Sequence, residues 1–129
     1  MPHSFENDPR ITGDARLLRR VHPQQLVPSE HGRKRVSSGA FRDYELSINI
    51  EPFMIAAGRS PADALKNHAQ HSLVAITAEL AREHKQIVAS DPTEDESAHG
   101  VVVGNKTAKV ARTFATRAEW VIPPEAPKV

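Results

Sequence analysis

Gly100-Val101-Val102-Val103-Gly104 is a continuous apolar run between glycines, with three β-branched residues in succession. Such a run favours a pleated backbone covered on both faces. It therefore reads as an interior strand that brings distant stretches of the chain together. Upstream, Tyr44-Glu45-Leu46-Ser47-Ile48-Asn49-Ile50 alternates with period two. Tyr44, Leu46, Ile48 and Ile50 would share the buried face of a second strand. Leu17-Leu18-Arg19-Arg20-Val21 makes a third, closed by His22-Pro23, because the residue before a proline is driven to an extended conformation.

Helices fit between these strands. Ser60-Pro61-Ala62-Asp63 carries a capping serine, a proline at the first helical position and a capping-box acid, which predicts a helix from there to about His68. The following stretch has two readings. Leu65, Ala69, Leu73, Ile76 and Leu80 fit one helix over 61–84. The β-branched Val74, Ile76 and Thr77 favour a break near Ser72, giving a strand over 73–78, a short helix over 79–84 and a strand over 86–89. The broken version is the one adopted. A last helix is expected over 107–118, with Val110, Phe114 and Ala118 as its buried stripe, and Trp120-Val121-Ile122 as an edge strand after it. The mixed order points to an α+β fold, a single small domain over 16–122 with a mixed β-sheet and two or three helices. Residues 1–15 read as a disordered lead with almost nothing to bury. Residues 123–129 read as a proline-rich tail.

Composition sets outer bounds. The chain has 129 residues, 39% of them hydrophobic, with 17 basic against 16 acidic side chains and no cysteine. One domain is the expectation. The charge balance predicts no global attraction to nucleic acid or to an acidic membrane. Disulfides and thiolate chemistry are excluded. No apolar stretch reaches the roughly 20 residues of a membrane helix, and the polar start lacks the apolar segment of a signal peptide. The cytoplasm is the expected location, and no membrane contact is expected.

Four groups of residues carry chemical interest. Arg20, His22, Ser37, Ser38 and His99 lie beside strand ends. A histidine titrates near neutrality and can serve as acid or base, and a serine beside one can become a nucleophile. Asp91, Glu94 and Glu96 are carboxylates that can orient His99. No Gly-x-Ser-x-Gly elbow is present; local capping by the serines and local hydrogen bonding by the histidines is the preferred reading of these residues. His68 and His71 have a spacing that can share a metal, but no further zinc signature accompanies them. No metal or other cofactor is therefore expected. Gly104-Asn105-Lys106-Thr107 precedes a helix without matching a phosphate-loop pattern. Arg20, Lys106 and Thr107 are the anion-binding candidates, with Thr107 as a simple helix cap the alternative. The 31–35 loop is basic, as are Lys106, Lys109 and Arg112 on the last helix, but no aromatic residues are interleaved with them as a stacking platform.

Arg19-Arg20-Val21-His22-Pro23, Ser37-Ser38-Gly39-Ala40-Phe41, Leu46-Ser47-Ile48, Asp91-Pro92 and the stretch from Ala98 to Thr107 together resemble a loose group of small uncharacterised bacterial proteins. The resemblance spans about residues 17–121 and implies a bacterial stand-alone domain with no known activity. Arg20 with Ser37-Ser38 is also similar in placement to the Arg and Ser motifs of ADP-ribosyltransferases. The acidic third motif of those enzymes has no secure counterpart here.

The expected function is a small accessory or interaction protein with a protein partner, in a regulatory, defence or toxin–antitoxin setting. One alternative is a small enzyme using His22 and His99 with Ser37 and Ser38. A second is a nucleic-acid-binding protein that uses the basic loop.

Overall fold

In the computed structural model, which describes residues 5–30 and 33–124, the glycine-bounded valine run is strand β7 (His99–Val103). It lies inside an antiparallel six-stranded sheet of order β6-β7-β4-β1-β5-β8. The other members are β1 (Arg16–Val21), β4 (Glu45–Ile50), β5 (Ser72–Thr77), β6 (Ile87–Ser90) and β8 (Glu119–Ile122), and a separate hairpin pairs β2 (Leu26–Pro28) with β3 (Lys34–Val36). Three α-helices join them: α1 (Glu51–Ala56), α2 (Ala78–Glu83) and α3 (Ala108–Arg117). The fold is α+β.

Side-chain alternation divides the sheet into two faces. Leu17 and Val21 of β1, Leu46, Ile48 and Ile50 of β4, and Val74 and Ile76 of β5 join the main core, which Phe41, Leu80, Ala111 and Phe114 cover. The second face carries a smaller cluster built from Leu18, Leu73 and Ala75, with Met54 of α1, Ala64 and Ala98 packed on it. Gly100 is required by close approach. A Cβ there would stand 2.8 Å from the Ala89 carbonyl oxygen and 2.8 Å from Ile50 Cδ1.

Several expectations need correction. Tyr44 does not share the buried face of β4; it precedes the strand and is 64% exposed. The helix expected from Pro61 is a single 3₁₀ turn, Pro61–Leu65. The broken reading of 61–84 matches β5 and α2, and the expected 86–89 strand is β6. The buried stripe of α3 runs through Ala111 and Phe114, with Val110 and Ala118 only partly covered. α1 and the β2–β3 hairpin were not expected.

The N-terminal lead also differs from expectation. Ile11 is buried in the main core. The Asp8 amide donates to the Val88 carbonyl (3.0 Å), and Asn7 Oδ1 accepts from the Val88 amide (2.8 Å). This segment therefore covers the outer edge of β6, satisfying groups that an edge strand leaves open. The part of the lead at 1–4 and the tail beyond 124 lie outside the described residues. Among the described residues, no helix is long and apolar enough to cross a membrane.

Candidate functional site

The second face of the sheet is apolar at one end and polar at the other. The β4–β7 register sets Asn49 opposite His99, and the β1–β4 register sets Leu18 opposite Asn49. Arg20, two residues beyond Leu18, falls on the same face. Arg20, Asn49 and His99 line an open cleft of about 580 Å³, whose other walls come from 59–68 and from the 93–96 loop.

His99 is oriented from behind. Its Nδ1 is 2.7 Å from the Asp91 carbonyl oxygen and 3.5 Å from the Asp91 carboxylate. A carbonyl has no proton to give, so Nδ1 carries the hydrogen and donates. The neutral ring then presents Nε2 as an acceptor, and protonation makes it a donor.

Asn49 is 7% exposed. Its amide Nδ2 makes one long contact, 3.5 Å to Glu96 Oε1. Glu96 forms a bidentate ion pair with Arg59, with Nη2 to Oε1 at 2.8 Å and Nη1 to Oε2. It also accepts from the Ala98 amide at 3.1 Å. The Arg59 hydrogen bond, above all, holds the Glu96 carboxyl below its ordinary value. This carboxylate ties the 93–98 loop to the chain after α1 and fixes one wall of the cleft.

The formal charges of the lining balance: Arg20, Arg59 and Lys66 against Asp63, Asp95 and Glu96. They are unequally engaged. Glu96 is held by Arg59, and Asp63 accepts from the Ser60 amide at 2.8 Å. Arg20 has no carboxylate within ion-pair distance among the described residues; its one hydrogen bond is a 3.3 Å contact from Nη1 to the Ala64 carbonyl.

The other candidates lie elsewhere. His22 is outside the cleft lining. Its Nδ1 accepts from the Gln24 amide at 3.0 Å, and its ring packs edge-on against His71. Ser37 caps a 3₁₀ turn over Ser38–Phe41 through the Gly39 amide. That turn packs on the main-core face through Ala40 and Phe41, so Ser37 and Ser38 stand across the sheet from His99. No serine–histidine pair exists among the described contacts, and Arg20 and the two serines occupy opposite faces.

Lys106 is not an anion site. It is 4% exposed, and Nζ donates to the carbonyls of Tyr44 (3.1 Å), Val102 (2.8 Å) and Gly104 (3.1 Å). All three ammonium hydrogens are committed, and burial lowers its pKa to about 8. Thr107 caps α3 by accepting from the Val110 amide at 3.2 Å. The His68 and His71 rings pack edge to face with centroids 5.1 Å apart. Among the described residues, no group of three or more His, Asp or Glu side chains is arranged to hold a metal ion. Within the basic 31–35 stretch, residues 31 and 32 lie outside the described residues, Lys34 and Arg35 are exposed on β3, and Lys106 turns inward.

Sequence reasoning missed Asn49, Arg59 and Lys66 as cleft residues. Asn49 alone carried a signal, as an amide on the strand face opposite Ile48 and Ile50. This chain matches no family model, no curated protein and no solved structure.

Proposed function

We propose that this chain is a small anion-binding module whose working surface is the cleft at Arg20, Asn49 and His99. The observation that carries this reading is the Arg20 guanidinium, which stands in a walled cleft with a backbone carbonyl as its one hydrogen-bond partner among the described residues. A guanidinium offers five donors in a planar fork suited to carboxylate or phosphate oxygens. His99 beside it supplies an imidazole, a general acid–base group, so a bound anion can be met by a second polar partner and proton transfer to or from it served. The enzymatic alternative thus narrows to His99 with Arg20, without His22, Ser37 or Ser38. The absence of cysteine suits a cytoplasmic setting.

Calorimetric titration with inorganic pyrophosphate tests the reading. Binding is expected to the parent chain and to be lost in Arg20→Met, with the melting temperature kept. Equal affinity in both proteins removes the cleft as the anion site.

A second reading, an accessory protein that docks a partner, rests on the sheet edges. The β6 edge is covered by the chain's own lead, whereas β8 pairs with β5 alone and ends the sheet. Its half-buried Trp120, Val121 and Ile122 leave one row of backbone groups for an added strand. Concentration-independent monomer behaviour together with fast exchange of the outward β8 amides in lysate would remove that reading.

A further inference from the structure

We propose that the ligand class of this cleft is a phosphorylated sugar, a polyhydroxylated molecule carrying a phosphate. The inference rests on the anion-binding reading and adds the chemistry of the rest of the ligand.

Size comes first. A cleft of about 580 Å³ falls in the range of small-molecule sites, roughly 300–1,000 Å³. A lone phosphate ion would leave most of it to solvent. The lining decides what fills the remainder. Of its twelve residues Ala64 is the single apolar one. A nucleobase needs an aromatic or apolar platform, and the one ring besides His99, that of His68, is already engaged edge-on with His71. An acyl chain would find no apolar wall.

The donors and acceptors then specify the complement. Among the described residues nothing donates a hydrogen bond to Asn49 Oδ1, although Asn49 is 7% exposed and lines the cleft. The Nε2 of neutral His99 is a second acceptor, because Nδ1 is spent on Asp91. Asn49 and His99 both line the cleft that also holds the Arg20 guanidinium. A ligand with hydroxyl donors next to a phosphate meets all three groups. A site built around hydroxyl partners discriminates against analogues lacking them, since its polar groups are otherwise left unpaired.

Calorimetric titration of the full chain near neutral pH provides the test. The probes are ribose 5-phosphate, glucose 6-phosphate, inorganic phosphate, free ribose and adenosine monophosphate. At least one sugar phosphate is expected to bind about tenfold more tightly than inorganic phosphate, the gain of one or two hydroxyl hydrogen bonds. Free ribose should give no heat, and adenosine monophosphate should bind no better than ribose 5-phosphate. In His99→Gln, with folding checked by its melting curve, the ratio of sugar phosphate affinity to inorganic phosphate affinity should fall toward one. Equal affinity for inorganic phosphate and both sugar phosphates overturns the sugar assignment and leaves the anion reading intact. A tenfold preference for adenosine monophosphate overturns it in favour of base recognition. Failure of every anion to bind defeats both readings.

Discussion

Asn49 and His99 are Cα partners across the β4–β7 ladder. Directly opposite residues keep their side chains side by side on one face of a sheet. The next strand, β1, adds Arg20 to that face. A buried amide, an oriented imidazole and a guanidinium with no carboxylate within ion-pair distance among the described residues are thus gathered from positions separated by long stretches of sequence. The interior valine strand makes that meeting possible.

The Arg59–Glu96 pair stabilises the wall of this site. Glu96→Gln removes the charge from a bidentate contact that also accepts the Ala98 amide. A loss of about 1–2 kcal/mol is expected in urea denaturation. The folded-state pKa of Glu96 is lowered from 4.5, first by the Arg59 hydrogen bond. The stabilisation is therefore present above about pH 4.5 and is lost as the pH falls through the lower folded value. The Glu96→Gln variant should show a shallower acid limb than the parent.

Gly100→Ala tests the close packing of β7. The added Cβ meets a backbone oxygen and Ile50 Cδ1 at 2.8 Å, and Ile48 Cδ1 at 3.0 Å. Overpacking of this kind costs about 1–3 kcal/mol. Gly39→Ala serves as the control, since its Cβ would meet nothing nearer than Ser37 Oγ at 3.5 Å. The denaturation midpoint should fall for the first variant and hardly move for the second.

Lys106 gives stability a rising alkaline limb. Its pKa is about 8 in the folded chain against an ordinary 10.5, because burial disfavours the charge. Between those values the unfolded chain keeps a proton that the folded chain has released. The penalty is complete below about pH 8 and disappears above about 10.5, so this group's contribution to stability rises with pH across that window. The rise amounts to about 3 kcal/mol at most. Subtracting the pH profile of Lys106→Met from that of the parent should isolate it.

Ile11→Ala tests the folded part of the lead. Ile11 is 2% exposed and belongs to the main core. Its truncation should cost about 2–5 kcal/mol. A change under about half a kcal/mol, the size of an ordinary surface substitution, would mean that the segment is not packed.

Much of the fold was legible because β-branching and period-two alternation report local geometry. The Val101–Val103 strand, the alternation of Leu46, Ile48 and Ile50, and the break near Ser72 all came from such signals. Ile11 escaped notice because one apolar residue in a polar segment has no periodicity. Lys106 was misread because a lysine before a helix looks like a surface cation, and only tertiary structure brings three carbonyls to its ammonium. Of the candidate site, Arg20 and His99 were singled out in advance. Their meeting with Asn49 follows from the β1–β4 and β4–β7 registers, which pairing across distant segments determines.

The most direct test is a nitrogen-correlated NMR titration of the full chain with pyrophosphate. The account predicts shifts at the Arg20 Nε–H, the Asn49 side-chain amide and the His99 ring. Lys34, Arg35, Lys109 and Arg112, exposed on β3 and α3, should stay unmoved. Shifts confined to those surface cations, with Arg20 and His99 unchanged, would contradict it.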